Sequence, residues 1–237
     1  RWDRVKEMLA NVSSLLVLIP AGALGLAGWF WLFETVHGVV PWKIPVTWAT
    51  AAIAVVTVDL VYYLEHRFEH THRLPWDLYH SVHHSSPEFD QTTSLRLSGF
   101  DALLTIGFLT PLIVVGFEPE LVLLAYGLVV AYQTWIHTEL ISKMPRWFEA
   151  VFNTASHHRV HHGSDDEYLD RNHGGIFMVW DQLFGTYQRE LHTPTYGLTT
   201  QIETTNPLRV WFSEFPSIFA DVRLSRRWRD RVGFLVN

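Results

Sequence analysis

Cysteine is absent from the 237 residues. That excludes disulfides, thiolate zinc sites, iron–sulfur clusters and a thiol nucleophile, and it leaves the compartment open. No run of Lys and Arg forms a basic arm. With 18 Lys and Arg against 24 Asp and Glu, the net charge is −6, so nucleic acid is not an expected partner. No His-Glu-x-x-His string occurs, and no haem-ligand or flavin signature is visible. The chain starts at Arg1 rather than Met, so residues are expected to precede it.

What is abundant is apolar sequence and histidine. Apolar residues make up 48% of the chain, and the long apolar runs fall before position 140. A spanning helix needs about 20 mostly apolar residues. Four stretches qualify: 9–33, 46–64 (interrupted by Asp59), 100–117 (with Asp101 at its edge) and 121–136. The linker Phe117-Glu118-Pro119-Glu120 makes the last two a tight hairpin. Pro20 and Pro111 are placed to kink their helices. Arg1, Arg4 and Lys6 ahead of an apolar run imitate a signal peptide, but the run continues through Trp29-Phe30-Trp31, beyond a signal's apolar region.

With four spans, the loops on one side are about 34–45 and 117–120. Of the 18 Lys and Arg, only Lys43 lies in them. The positive-inside rule makes the other side cytoplasmic, and every histidine from His66 to His192 falls there. His37 falls outside. The expectation is an all-α fold with four transmembrane helices and a cytoplasmic histidine-rich helical cap. It is one domain over 1–237, with the cap at 65–99 and 137–200 and a tail at 201–237. The protein is then multi-pass with a cytoplasmic active site, in the endoplasmic reticulum of a eukaryote or the cytoplasmic membrane of a bacterium.

Of 14 histidines, 12 lie between His66 and His173. His66 and His70 are four apart and share a helix face. His80, His83 and His84 stand at i, i+3 and i+4, a spacing that can bring three imidazoles to one point. His158, His161 and His162 repeat it, and His137 follows the fourth apolar stretch. These nine are the candidate metal ligands, with His157 and His173 as further candidates. One metal takes at most six, so two metals are the natural count. Imidazole suits Fe, Zn, Cu or Ni. A carboxylate or carbonyl commonly accepts the other ring N–H of a ligating histidine. Asp59, Glu65, Glu69, Glu139, Asp165, Asp166 and Asp181 are within reach by sequence. Asp59, Glu69 and Asp181 are the chosen supporting residues, Asp59 because an acid inside a span is costly. His72 lies off the His66/His70 stripe, and His192 reads as structural.

These strings resemble the fatty acid hydroxylase / sterol desaturase superfamily, and within it the alkylglycerol monooxygenase-like members. The likeness runs through His80-Ser-Val-His-His-Ser-Ser86, Thr92-Thr-Ser-Leu-Arg96, Trp135-Ile-His-Thr-Glu139 and Asn153-Thr-Ala-Ser-His-His-Arg-Val-His-His-Gly163. It continues through Asp170-Arg-Asn-His-Gly-Gly175, Trp180-Asp-Gln-Leu-Phe-Gly-Thr186 and Tyr196-Gly-Leu-Thr199. The resemblance implies two irons on the nine histidines, with zinc able to replace iron in purified protein. It also implies O2 activation and hydroxylation or desaturation of a membrane lipid: fatty acyl, alkylglycerol or sterol-like. Electrons would come from a reductase or a diffusible reductant. Such relatives carry Glu directly after the second histidine of the first motif, where this chain has Thr71. The step from His70 to His80 is also one residue longer. Both departures leave an ether-lipid substrate and a tetrahydropterin donor open. Other readings of the histidines are a zinc-dependent membrane hydrolase, which needs only three protein ligands, and a metal transporter or sensor, which would place its ligands within the spans.

Overall fold

The computed structural model describes residues 2–98, 101–225 and 227–236. Four long helices form its base: α1 (Trp2–Val39), α2 (Trp48–Thr71), then, beyond the first part of the cap, α5 (Asp101–Val115) and α6 (Pro119–Ile136). A reciprocal capping box starts α2, in which Thr47 Oγ1 accepts from the Thr50 amide at 3.2 Å and Thr50 Oγ1 from the Thr47 amide at 2.9 Å. Pro119 sits in the first turn of α6, where its missing N–H costs no helical bond. The two halves of α1, Asp3–Pro20 and Gly22–Val39, meet at 45°, because proline cannot supply the bond to the preceding turn.

The four helices enclose one apolar core, to which α1 gives Trp29 and Phe33, α2 Ala54 and Val58, α5 Leu109 and Ile113, and α6 Val122 and Val129. Their outer faces are apolar as well: Leu24, Trp31, Ile53, Leu124 and Leu128 are exposed. Helices apolar on both faces suit a lipid surrounding. Among the described residues, α2 and α6 are long and apolar enough to cross a bilayer, and the two halves of α1 together make a third. In the third expected stretch, 100–117, the described residues form α5, whose apolar part is Leu104–Val115. At about 1.5 Å per residue it falls short of a hydrocarbon core of about 30 Å. Phe100 lies outside the described residues.

The cap is built from short helices. After α2 come α3 (Arg73–Pro75), a π turn (Trp76–His80), α4 (Ser81–His84) and a 3₁₀ turn (Thr93–Leu95). A π turn closes i to i+5 and holds one residue more than an α turn. Beyond α6 lie α7 (Arg146–Glu149), α8 (Ala155–His161) and α9 (Val179–Phe184). Extended pairing among the described residues is limited to the isolated bridges Phe152–Phe177 and Gly163–Tyr196. The tail folds as α10 (Pro207–Trp211), α11 (Phe215–Leu224) and α12 (Trp228–Val236). It is tied to the cap by Arg73 Nη2 and Asp221 at 2.7 Å.

The cap is seated on the helices through the segment 172–177. Asp59, fully buried in α2, accepts from the Ile176 amide at 2.6 Å, the Phe177 amide at 3.1 Å and Trp180 Nε1 at 2.8 Å. Gly175 makes this approach possible, since a Cβ there would lie 2.6 Å from Val129 Cγ1 and 2.7 Å from Asp59 Oδ1. Gly175→Val should therefore cost about 1–3 kcal/mol by overpacking, read as a lowered Tm in detergent. Gly38→Ala, with nothing within 4 Å of the added Cβ, should leave Tm unchanged or slightly raised.

Candidate metal centre

Along α2, positions 59, 63, 66 and 70 form one stripe, so the clamp residue Asp59 and the two histidines of the first motif share a face. His66 and His70 point from the end of that helix toward α4 and α8. There the structure gathers nine imidazoles into two groups. His66, His70, His80, His84 and His161 bring one ring nitrogen each within 4.8 Å of one another, and His83, His137, His158 and His162 do the same.

Each H-x-x-H-H motif thus divides rather than converging on one point. His80 and His84 enter the five-membered group and His83 the four-membered one; His158 and His162 enter the four-membered group and His161 the five-membered one. The reason is helical geometry. At 100° per residue, positions i and i+4 differ by about 40°, whereas i+3 and i+4 differ by about 100°. A motif lying between two centres must therefore give i and i+4 to one and i+3 to the other.

Within the groups, facing nitrogens are very close. Nε2 of His66 lies 3.0 Å from Nε2 of His80, and Nε2 of His84 lies 3.2 Å from that of His80 and 3.1 Å from that of His161. In the second group, Nε2 of His137 is 3.3 Å from that of His83 and 2.9 Å from that of His158. The opposite ring nitrogens already have acceptors. Nδ1 of His66 faces the His173 carbonyl at 2.8 Å, that of His161 the Arg171 carbonyl at 2.9 Å and that of His137 the Gln133 carbonyl at 2.7 Å. Nδ1 of His83 faces the Arg96 carbonyl at 3.3 Å, and that of His80 the Glu69 carboxylate at 2.8 Å. A carbonyl accepts only, so the proton sits on Nδ1 and Nε2 carries a lone pair. Neighbouring lone pairs at these distances repel unless a cation lies between them. Two nitrogens each about 2.0–2.1 Å from one ion stand about 2.8–3.4 Å apart at right or tetrahedral angles, so the groups fit a metal. Buried Nε2 atoms of His70 and His162 without hydrogen-bond partners fit it too.

Burial also sets the protonation state. It pushes His83 down to about 4 and His137 down to about 3, the latter helped by His83. His80, His84, His158, His161 and His162 are held well below the usual imidazole range by burial first and by neighbouring histidines next. These rings are neutral at pH 7, the form that binds metal.

Three partners of the five-membered group come from one segment. Asp170 Oδ1 lies 3.4 Å from Nδ1 of His70, and the Arg171 and His173 carbonyls take His161 and His66. Asp170 and Asn172 have positive φ, 55° and 58°, a conformation tolerated best by Asn and Asp. Asn172 holds the turn with Nδ2 donating to the His157 and Gln188 carbonyls at 3.0 and 2.8 Å, and Oδ1 accepting from the Gln188 amide at 2.8 Å. Asp181 closes it from the other side, accepting from the His173 and Gly174 amides at 2.8 and 2.7 Å and from Thr186 Oγ1 at 2.6 Å. For the four-membered group, buried Arg96 presents its carbonyl while its side chain pairs with Glu7 at 3.0 Å.

Of the carboxylates within reach by sequence, Glu69 hydrogen-bonds a ring of the two groups. Asp59 and Asp181 grip backbone amides instead, and Asp181 lies 3.7 Å from Nδ1 of His173. Glu139 accepts from Tyr196 and Asp165 from Thr195, both exposed pairs. His173 belongs to neither group; its ring is fully buried, 4.9 Å between centroids from His70, with neither nitrogen in a hydrogen bond. His157 turns away toward Thr154 and Tyr187. His72 stacks on Phe68, and His192 forms an exposed pair with Glu167. The residues missed from sequence are Asp170 and Asn172. Their visible signal is an Asp-x-Asn pair of the type that enters the left-handed region.

Two cavities reach the centre. One of about 310 Å³ lies among α1, α2, α5 and α6 and is bounded by His80, His83 and His137. The other, of about 380 Å³, opens on the cap side and is bounded by His70, His84, His161 and His162, with Thr71 and Arg73 in its wall.

The sequence model of the fatty acid hydroxylase family matches residues 51–186, a range that holds all nine clustered histidines, from His66 to His162. Alkylglycerol monooxygenase of Homo sapiens is 34% identical over 218 residues, 92% of this chain and 48% of that protein. The Caenorhabditis elegans alkylglycerol monooxygenase is 37% identical over 180 residues, 73% of this chain and 33% of its own. The ornithine lipid hydroxylase OlsE of Rhizobium tropici is 27% identical over 161 residues, 68% of this chain and 47% of its own. The chain spans about half the length of the vertebrate relatives it matches. No solved structure matches it. The chain belongs to the fatty acid hydroxylase family.

If the 170–173 turn orients the rings, Asn172→Ala should weaken metal binding about 10–100-fold, the usual cost of losing an outer partner of a ligating histidine. His157→Ala should leave binding unchanged. Competition against a chelator of known affinity measures both.

Proposed function

We propose that this family member is a membrane-embedded di-iron oxygenase that hydroxylates a C–H bond of a lipid. The observation that carries the reading is the division of nine neutral, buried imidazoles into groups of five and four, both bordering a cavity among apolar helices. The relatives, alkylglycerol monooxygenases and an ornithine lipid hydroxylase, support hydroxylation over desaturation on the same centre. The proposed balance is R–H + O2 + 2e⁻ + 2H⁺ → R–OH + H2O, with both electrons from a separate reductase or a diffusible reductant. A tetrahydropterin is one such donor.

Bound to the two groups, iron supplies the activation of O2 and the oxidation of an unactivated C–H bond. The chain's own residues set the conditions for it. The Glu69 carboxylate and the carbonyls of Arg96, Gln133, Arg171 and His173 hold Nδ1 protons, which keeps the Nε2 lone pairs turned inward. The apolar walls of the inner cavity receive the lipid chain and exclude water. The outer cavity, with Arg73 and Thr71 in its wall, gives a polar approach to the same rings from the opposite side.

The arrangement in the membrane is part of the proposal. Four spans over 9–33, 46–64, 100–117 and 121–136, with α5 completed by its neighbours, carry the cap on the cytoplasmic face, where 17 of 18 Lys and Arg lie. Asp59 and Asp181 act by seating the 172–177 segment, and Glu69 by holding His80. His173 stands beside the five-membered group as a further candidate ligand.

Lipid mass spectrometry of cells expressing wild type and His161→Ala tests the reading. A +16 product that depends on His161 is expected. A −2 product would replace hydroxylation by desaturation, and the absence of any wild-type-dependent change would overturn both.

A further inference from the structure

We infer that Glu65 is a specificity-determining residue of the inner cavity, selecting a neutral lipid with a hydroxyl near the oxidised carbon over a lipid with a free carboxylate. This rests on the lipid hydroxylase reading and narrows its substrate class. Glu65 follows Asp59 on α2 and directly precedes His66, yet it faces the cavity rather than the imidazoles. It is 3% exposed, with Oε1 held by Thr105 Oγ1 and Oε2 buried without a hydrogen-bond partner. A buried, unsatisfied carboxyl oxygen is costly. Here it lines a cavity of about 310 Å³, so a ligand can satisfy it.

The rest of the wall narrows what that ligand is. Leu18, Trp29 and Val130 give an apolar channel suited to an alkyl chain. Around Glu65 lies a polar belt, in which Tyr62 donates to Gln133 at 3.0 Å and the Tyr126 hydroxyl lies 3.5 Å from Thr105 Oγ1. The belt lines the same cavity as His80, His83 and His137, so a lipid held at Glu65 shares that space with rings of both groups. No Lys or Arg lines the cavity among the described residues, and a second carboxylate, Glu69, does. A fatty-acid carboxylate would enter with no cation to pair it. A hydroxyl can donate to Oε2 and accept from a neighbouring hydroxyl without added charge.

The test uses the full chain in nanodiscs, with 1-hexadecanol, hexadecanoic acid and hexadecane as probes and bound probe measured by mass spectrometry after washing. Wild type is expected to retain the alcohol at least about tenfold more tightly than the acid or the alkane. Glu65→Gln keeps the shape and places an amide NH2 where Oε2 stood. It should shrink the preference for alcohol over acid by about tenfold while metal content stays at the wild-type level. In turnover of the iron-loaded protein the change should appear in KM rather than kcat. Wild type that holds acid as tightly as alcohol overturns the inference without any variant. An unchanged preference in Glu65→Gln does so too, leaving the lipid reading standing. Wild type that binds none of the three overturns the lipid reading and the inference together.

Discussion

The structure depends on one repeated interaction: the hydrogen bond from a histidine Nδ1–H to an acceptor fixed in the backbone or in Glu69. Each such bond settles a tautomer and turns a lone pair inward. Five rings have a carbonyl or carboxylate at 2.7–3.3 Å on this side. The opposite nitrogens consequently meet at distances that suit ligands of one ion and are repulsive for free imidazoles. Burial keeps the rings uncharged, so the repulsion is not relieved by protonation. A cation held between the facing nitrogens would relieve it.

The acceptors must be as rigid as the rings, and the chain anchors them at distant points. The 170–177 segment is pinned by Asp59 from α2, by Asp181 from α9 and by Asn172 from within. On the other side, Arg96 is locked to Glu7 of α1. Arg159 of α8 donates to the carbonyls of Thr138, Ile141 and Ser142 at 3.1, 2.7 and 2.6 Å and pairs with Glu190, fixing the segment that follows His137. Buried charges are costly unless fully paired. Arg96 and Arg159 are paired with Glu7 and Glu190, Asp59 and Asp181 are satisfied by amide, indole and hydroxyl donors, and each joins the apolar helices or the cap to a segment bearing an imidazole or its acceptor.

Much of this was legible in the sequence. The two H-x-x-H-H motifs, the His66/His70 pair and His137 are the nine rings that cluster, because helical spacing and proximity to an apolar stretch leave them little choice of side. The division of each motif between two groups follows from 100° per residue, but only once two centres are assumed. The orientation of the rings was not legible, because its determinants are carbonyl oxygens, which every residue has. Asp59 stood out as an acid in an apolar helix, yet its partners are amides more than 100 residues away.

The central claim, that the nine imidazoles form two metal positions rather than one, is tested most directly by counting. Purified protein reconstituted with Fe(II) and passed through a desalting column is assayed by elemental analysis against quantitative amino-acid analysis. The account predicts two ions per chain. One ion per chain at saturation would contradict it.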